Sequence, residues 1–321
     1  MRRPPPGEER DLDLIVVGEI NPDVVVSDPD PVPRFGQQER IVGAITMTIG
    51  SSSAIAACGA ARLGLRVAMV GVVGDDPFGR FMLEAMRDRG VDVTACRIDP
   101  DLPTGATVIL ASPMDRAILT ALGTIASVSA ADVRDDLLGR ARHLHVGSYF
   151  LQPQLAHEVP ALFRRAHAQG LTTSLDPNDD PRKTWNGGLD AALEETDIFL
   201  PNGAEIAAIG GREKPVAAAL ALAERLDQAP AIAVKLGSAG AATIADGVVT
   251  RSNAYPVEPL DTVGAGDSFD AGFICGWLDG LTIEFALRRA VVCGALSTRS
   301  VGGTDGQPTR HEVDRALASW E

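Results

Sequence analysis

The run DTVGAGDSFDAGFICGWLDG, residues 261–280, gathers the residues best suited to chemistry into one short segment. Phe269, Phe273, Ile274 and Trp277 fall at helical spacing, so a helix is expected to begin near Gly264 and to bury that face. Its first turn then comprises Gly264, Ala265, Gly266 and Asp267. The first amides of a helix lack intrahelical acceptors and lie at the positive end of the dipole, and side chains this small let a phosphate reach them. Asp267 is then placed to take a proton from a hydroxyl held opposite that phosphate, with nucleophile and leaving group in line. Spacing alone equally allows an acid that complements the helix dipole and meets no ligand. The turn is neither GxGxxG nor the P-loop pattern ending in GK[ST]. No GxGxxG follows the first candidate strand either, which argues against a dinucleotide-binding dehydrogenase.

The elements that must position this turn are those of an α/β protein. From residue 12 onward short β-rich runs alternate with helical stretches, the signature of a largely parallel sheet. The candidate strands are 12–20, 66–74, 143–150, 171–178, 197–203, 231–237, 241–246 and 248–254. Between them Leu155, Val159, Leu162, Phe163 and Ala166 mark one helical face, and Val216, Leu220, Ala223 and Leu226 another. Such segments are long enough for right-handed crossovers between parallel strands, so helices should cover both faces of the sheet. The expected fold is a three-layer α/β/α, doubly wound arrangement. At roughly 100–200 residues per domain, 321 residues allow one large domain or two smaller ones. With no dividing linker and no internal repeat, residues 1–321 are expected to form a single domain.

Two stretches, about 22–49 and 105–122, contain strands but no convincing helix. The second reads as a hairpin, strand 106–111 and strand 116–121 around Ser112, Pro113, Met114 and Asp115. Together they are expected to form a small second sheet, either a lid over the site or an edge extension with no gating role.

Composition narrows the function classes. Lys and Arg total 29 against 43 Asp and Glu, a net charge of −14, and only 4% of residues are aromatic, so a nucleic-acid surface is not expected. Cys58, Cys96, Cys275 and Cys293 form no CxxC pair and read as core thiols rather than a zinc site or disulfide scaffold. The start, MRRPPPGEERD, has prolines and acids where a signal peptide needs an apolar stretch, and no segment reads as a membrane span. A reducing, cytoplasmic setting is the expectation.

With these residues in view, the chain resembles the ribokinase-like (PfkB) carbohydrate kinases, whose C-terminal signature DTxGAGD is matched in full from Asp261 to Asp267. The resemblance extends, in the family's order, to GEINPD at 18–23, GSSSAIAACGAARLG at 50–64, VGVVGDDPFGRFMLEAMRDRGV at 70–91, DPN at 176–178, NGAE at 202–205 and KLGSAGA at 235–241. It implies transfer of the γ-phosphoryl group of ATP, with Mg2+, to a hydroxyl of a small sugar-like molecule. It casts Asp267 as general base and the amides of Gly264, Ala265 and Gly266 as the anion hole. Asn202 and Glu205 match the NxxE element that orders magnesium and its waters, which suits a metal that gives up water reluctantly. Without that context Glu205 reads as an ordinary acid at a helix N-terminus. Lys235, Gly237 and Thr262 fall beside the nucleotide in this resemblance, and a lysine there either neutralises phosphate charge or is a surface lysine at a strand end. Asp261 matches an aspartate that often helps hold a monovalent cation, which makes K+ a further candidate.

For the acceptor, the resemblance points to Asn21 and Asp23, to Gly50, Ser51 and Ser52, to Arg116 on the hairpin and to Asn178 of DPN. An aspartate suits two neighbouring hydroxyls because both of its oxygens accept. The family's GGxxxN is altered here: Ser51 replaces the second glycine and Ile55 the asparagine. The serines either compensate as hydrogen-bonding groups or cap the helix that follows. Where sugar-acid kinases carry an arginine two positions after DPN, this chain has Asp179 and Asp180, with Arg182 and Lys183 beyond. A neutral polyhydroxylated acceptor is therefore expected. A nucleoside kinase is the rival of the same class, and a non-catalytic sugar or nucleotide sensor the rival of another, against which the complete DTVGAGD argues. Lids in this family often pair subunits, and Val24, Val25 and Val26 with Ile45, Met47 and Ile49 would allow a homodimer.

Overall fold

Strands buried on both faces read as continuous apolar runs, and LIVV (Leu14–Val17) and VAMV (Val67–Val70) are buried at every position. In the computed structural model, which describes residues 10–112 and 116–320, these two lie side by side in a nine-stranded sheet. Its order is Val248–Ser252, Ala241–Ala245, Ala231–Lys235, Ile198–Phe199, Thr172–Leu175, His143–Val146, Leu14–Val17, Val67–Val70 and Val91–Asp92. The seven strands from Ala231–Lys235 onward are parallel, and the two at the other edge are antiparallel.

Helices cover both faces. One core is built with Ser52–Arg62, Ala265–Leu278 and Ile283–Ser297, the other with Pro153–Ala168 and Pro215–Arg225. Parallel strands connected this way end on the same side, so the loops after their C-terminal ends converge on one rim. That rim carries Glu19, Asp176, Asn202 and Lys235.

Some expectations need adjustment. The run 66–74 does not stay in one sheet: the chain leaves the central sheet at Gly71, whose carbonyl accepts from Arg97 N, and Val72–Gly74 pairs with Arg97–Asp99 instead. In Pro215–Arg225 the fully buried stripe is Ala218, Ala219 and Leu222, whereas Val216, Leu220 and Ala223 are half-buried. The small alanines let that face approach the sheet, and the larger Leu220 packs at its margin.

Residues of the two helix-free stretches form a separate four-stranded sheet in the order Ala44–Ile49, Pro22–Ser27, Ala106–Ala111, Arg116–Ala121. Its register sets Asp23 opposite Thr107, and Thr107 opposite Thr120. Ile45, Met47, Ile118 and Leu119 are exposed on this sheet. Most of the N-terminal MRRPPPGEERD stretch and the hairpin residues Pro113, Met114 and Asp115 lie outside the described residues. All four cysteines are free, and no helix among the described residues is long and apolar enough to cross a membrane.

Candidate active site

The glycine-rich turn opens the helix Ala265–Leu278, as its apolar spacing predicts, and Phe269, Phe273, Ile274 and Trp277 are buried. Gly264 is the N-cap with φ 72°, a left-handed conformation that side chains resist. A Cβ there would lie 2.7 Å from both Cα and O of Gly303, so the turn admits glycine only. The Ala265 amide donates to Thr262 O at 3.3 Å. Asp261 braces the same turn: its Oδ1 accepts from Val263 N at 3.0 Å and its Oδ2 from Gly302 N at 2.9 Å.

On one side of the turn lies a cavity of about 510 Å³, lined by Gly237, Thr262, Ala265 and Gly266 together with Tyr255, Val257, Phe269 and Val291. A mostly apolar cleft of this size suits the base and sugar of a nucleotide. Lys235 also borders it, but its ammonium is already committed. Nζ lies 2.6 Å from Asp176 Oδ2 and 3.1 Å from both oxygens of Asp270. The lysine expected to meet phosphate is thus clamped between two buried carboxyls. Burial opposes charge on Lys235, yet Asp176 and Asp270 outweigh it and raise its pKa. Burial likewise opposes ionisation of Asp176, and Lys235 reverses the balance and holds that carboxyl below its usual range. For Asp270 burial prevails over Lys235, and the neighbouring Asp176 pushes it further up.

Asn202 and Glu205 form a reciprocal cap on the helix Gly203–Gly210. Asn202 Oδ1 accepts from Glu205 N at 2.9 Å, and Glu205 Oε2 accepts from Asn202 N at 2.8 Å. Burial, then the charge of Asp176, pushes the Glu205 carboxyl up to about 7. No group of three or more His, Cys, Asp or Glu among the described residues is arranged to hold a metal ion.

The acceptor candidates do not line this cavity. Asn21 is buried and donates from Nδ2 to Thr107 Oγ1 at 3.3 Å. The buried Asp23 carboxyl abuts Gly50, where a Cβ would come within 2.1 Å of Oδ1. Burial raises its pKa to about 7, with Arg116 drawing it down and Glu19 pushing it up. Arg116 pairs with Ala111 at the opposite end of the hairpin from Thr107, so the structure gives it an electrostatic link to Asp23. Ser51 adopts φ 70° and its side chain turns to capping: Oγ accepts from Ala54 N at 3.1 Å and donates to the carbonyl of Glu19. Ile55 fills space beside Gly264 and Gly303.

Ser52 neighbours Asp267 and draws its pKa down, and its Oγ lies 3.5 Å from Asn178 Nδ2. Asn178 donates more closely to Ser148 Oγ, at 2.8 Å. The half-buried Asp267 therefore reaches across to the acceptor residues while Ala265 and Gly266, in the same turn, line the cavity. Burial, then the charge of Asp176, raises its pKa to about 8, with Lys235 opposing and Glu19 adding. Sequence reasoning missed Glu19, Ser148 and Asp270. Asp270 had a legible signal, one helical turn beyond Asp267, whereas the meeting of Glu19 with Ser148 depends on the sheet pairing of residues far apart in the chain.

Comparison with known proteins adds an independent finding. The model of the pfkB family carbohydrate kinase matches residues 11–310. A Bacillus subtilis ribokinase is 30% identical over 308 residues, covering 95% of this chain and 99% of that protein. A 2-dehydro-3-deoxygluconokinase of the same organism is 31% identical over 281 residues, covering 82% of this chain and 84% of the relative. The solved structure of an Arabidopsis thaliana ribokinase complexed with ribose and ATP superposes with a TM-score of 0.83 at 24% identity, covering 97% of this chain and 99% of the other. This last likeness bears on the fold.

Proposed function

This chain belongs to the pfkB family of carbohydrate kinases, and on that premise we propose that it transfers the γ-phosphoryl group of ATP to a neutral polyhydroxylated acceptor, with Asp267 as general base. The observation that carries this reading is the position of one helical turn between two sites: Ala265 and Gly266 face the 510 Å³ cavity, and Asp267 neighbours Ser52 of the acceptor set.

In this reading the nucleotide occupies the cavity with its phosphates toward Gly264, Ala265 and Gly266. The helix amides and dipole stabilise charge on the transferring group, and Asp267 removes the proton of the incoming hydroxyl. Asn21, Asp23 and Asn178 orient the acceptor. Magnesium, when bound with the nucleotide, neutralises phosphate charge, and Glu205 with Asn202 fits as an acceptor of its waters. Asp261 is the candidate neighbour of a monovalent cation such as K+. The four-stranded sheet acts as a lid that excludes water, and its exposed Ile45, Met47, Ile118 and Leu119 offer a surface for a second copy.

The neutral acceptor is inferred from charge. Asp179 and Asp180 follow DPN where sugar-acid kinases carry an arginine, which leaves that segment without the cation a substrate carboxylate would meet. An assay of ADP production across neutral sugars, nucleosides and keto-sugar acids tests this directly. Neutral sugars should be turned over fastest, and a keto-sugar acid that outpaces them overturns the acceptor assignment. Failure of every acceptor to raise ADP production overturns the kinase reading.

A further inference from the structure

Glu19 is a buried carboxyl that the mechanism above leaves without a task. It is 1% exposed, and three donors converge on it: Ser53 Oγ at 2.6 Å, Ser53 N at 3.3 Å and Ser148 Oγ at 2.7 Å. Space for this arrangement is built into the backbone. A Cβ on Gly18 would fall 2.0 Å from Ser53 Oγ and one on Gly147 would fall 2.4 Å from it, so both positions must stay bare for that hydroxyl to reach the carboxylate.

The surrounding backbone is held in unusual conformations. Ser51, Ser148 and Asn178 have φ of 70°, 50° and 54°, in the left-handed region. A non-glycine residue held there costs on the order of 1–3 kcal/mol, and such residues collect where surrounding structure imposes them for function. Here their side chains belong to one connected set. Ser51 donates to the Glu19 carbonyl, Ser148 donates to the Glu19 carboxylate, and Asn178 donates to Ser148.

With Glu19 ionised these bonds have one direction. Ser148 has a single hydroxyl proton, which goes to Glu19, so its oxygen must accept from Asn178 Nδ2 at 2.8 Å. The opposite end of that amide is also fixed, because Asn178 Oδ1 accepts from Asp179 N at 2.7 Å. The same Nδ2 lies 3.5 Å from Ser52 Oγ, and Ser52 neighbours Asp267. A chain of neighbouring side chains therefore runs from the buried acid to the proposed base.

We propose that Glu19 is a positioning residue for the acceptor: acting through Ser148, it fixes the Asn178 amide and the Ser52 hydroxyl beside Asp267, so that an acceptor hydroxyl is presented to the base. This rests on the kinase reading above. It adds a specificity role to a residue that touches neither substrate.

The test uses the full chain, ATP and the neutral sugar that the wild type turns over fastest. Glu19→Gln replaces an accepting oxygen with an NH2 group that competes with Ser148 as a donor. The acceptor KM should rise about tenfold while the ATP KM stays within about twofold, a split that general loosening of the fold would not produce. Ser148→Ala should reproduce this pattern, and the double variant should be no worse than the weaker single one because both cut one path. An unchanged acceptor KM, an equal rise in both KM values, or losses that multiply in the double variant each overturn the proposal. Should Glu19→Gln not fold, Ser148→Ala decides by the same KM split. Turnover by the wild type with unaltered variants refutes this inference alone, whereas a wild type inactive on every acceptor refutes the kinase reading and this inference with it.

Discussion

Replacing Asp267 with asparagine should abolish most activity and stabilise the protein, and the second effect should depend on pH. The carboxyl lies at the start of a helix, a favourable place for negative charge, yet burial and then Asp176 raise its pKa to about 8 from the usual 3.8. The unfolded chain releases that proton near its ordinary value, so the folded state holds it more tightly. Stability contributed by the protonated form is therefore fully present below pH 3.8 and is lost progressively as pH rises toward 8. At roughly 1.4 kcal/mol per pH unit the whole interval amounts to at most about 6 kcal/mol, and solvent reaching the half-buried group reduces it to about 2–3 kcal/mol. Asparagine keeps the shape and carries no proton to lose. Thermal unfolding without nucleotide should give similar Tm values for both proteins near pH 4, with the variant higher by a few degrees at pH 9. Turnover at saturating ATP should fall by about 10²–10⁴-fold, the usual contribution of a positioned base. For the wild type, kcat/KM should rise about tenfold per pH unit below 8 and level off above it. A variant with turnover within threefold of wild type, or with a lower Tm at pH 9, refutes this account of Asp267.

Gly264→Ala forces a side chain into φ 72° with a Cβ 2.7 Å from Gly303, and should lower stability by about 1–3 kcal/mol together with kcat. Thermal melts and initial rates check it, and a fully active variant with unchanged Tm refutes the demand for glycine. Lys235→Met leaves Asp176 and Asp270 facing each other without their shared cation, and should cost about 3–5 kcal/mol in urea unfolding. An unfolding free energy within 1 kcal/mol of wild type, taken as roughly the value of a surface pair, would show that the clamp carries no such weight. Asp23→Asn should raise the acceptor KM about tenfold and leave the ATP KM unchanged, since Asp23 does not line the cavity. Equal changes in the two KM values would place Asp23 elsewhere in the mechanism.

The sequence made the fold legible wherever a local period reports burial. Leu155, Val159, Leu162, Phe163 and Ala166 sit on one helix face and are all buried, and both hairpin strands end where their turn residues suggest. It misplaced the buried stripe of Pro215–Arg225 because small alanines carry little hydropathy yet permit the closest approach to the sheet. For the site, the helix start at DTVGAGD was readable because its glycines and the apolar spacing that follows lie in one contiguous segment. Partnerships set by strand order were not readable. Lys235, Asp176 and Asp270 are joined by the packing of two strand ends against a helix, and nothing in their spacing says whether the lysine meets a phosphate or a carboxylate.

That partnership changes how charge at the site must be understood. Asp176, Asp267 and Asp270 crowd one end of the sheet, where Asp176 raises the cost of ionising both others and Asp267 adds to that of Asp270. A cation left free to meet phosphate would give attraction to the nucleotide but would leave Asp176 and Asp270 unneutralised in a buried setting. Lys235 instead takes up the carboxyls, and in the proposed mechanism the anion falls to the backbone amides, whose partial charges are fixed in place and need no counterion. The arrangement divides the work. Side-chain charge holds the helix against the sheet, assisted by buried Phe269, Phe273, Ile274 and Trp277, while the oriented main chain at Gly264 remains for the transferring group. In the proposed mechanism reactivity follows from the residual imbalance: one cation among several acids leaves Asp267 with a proton affinity suited to a base, which a fully neutralised cluster would remove.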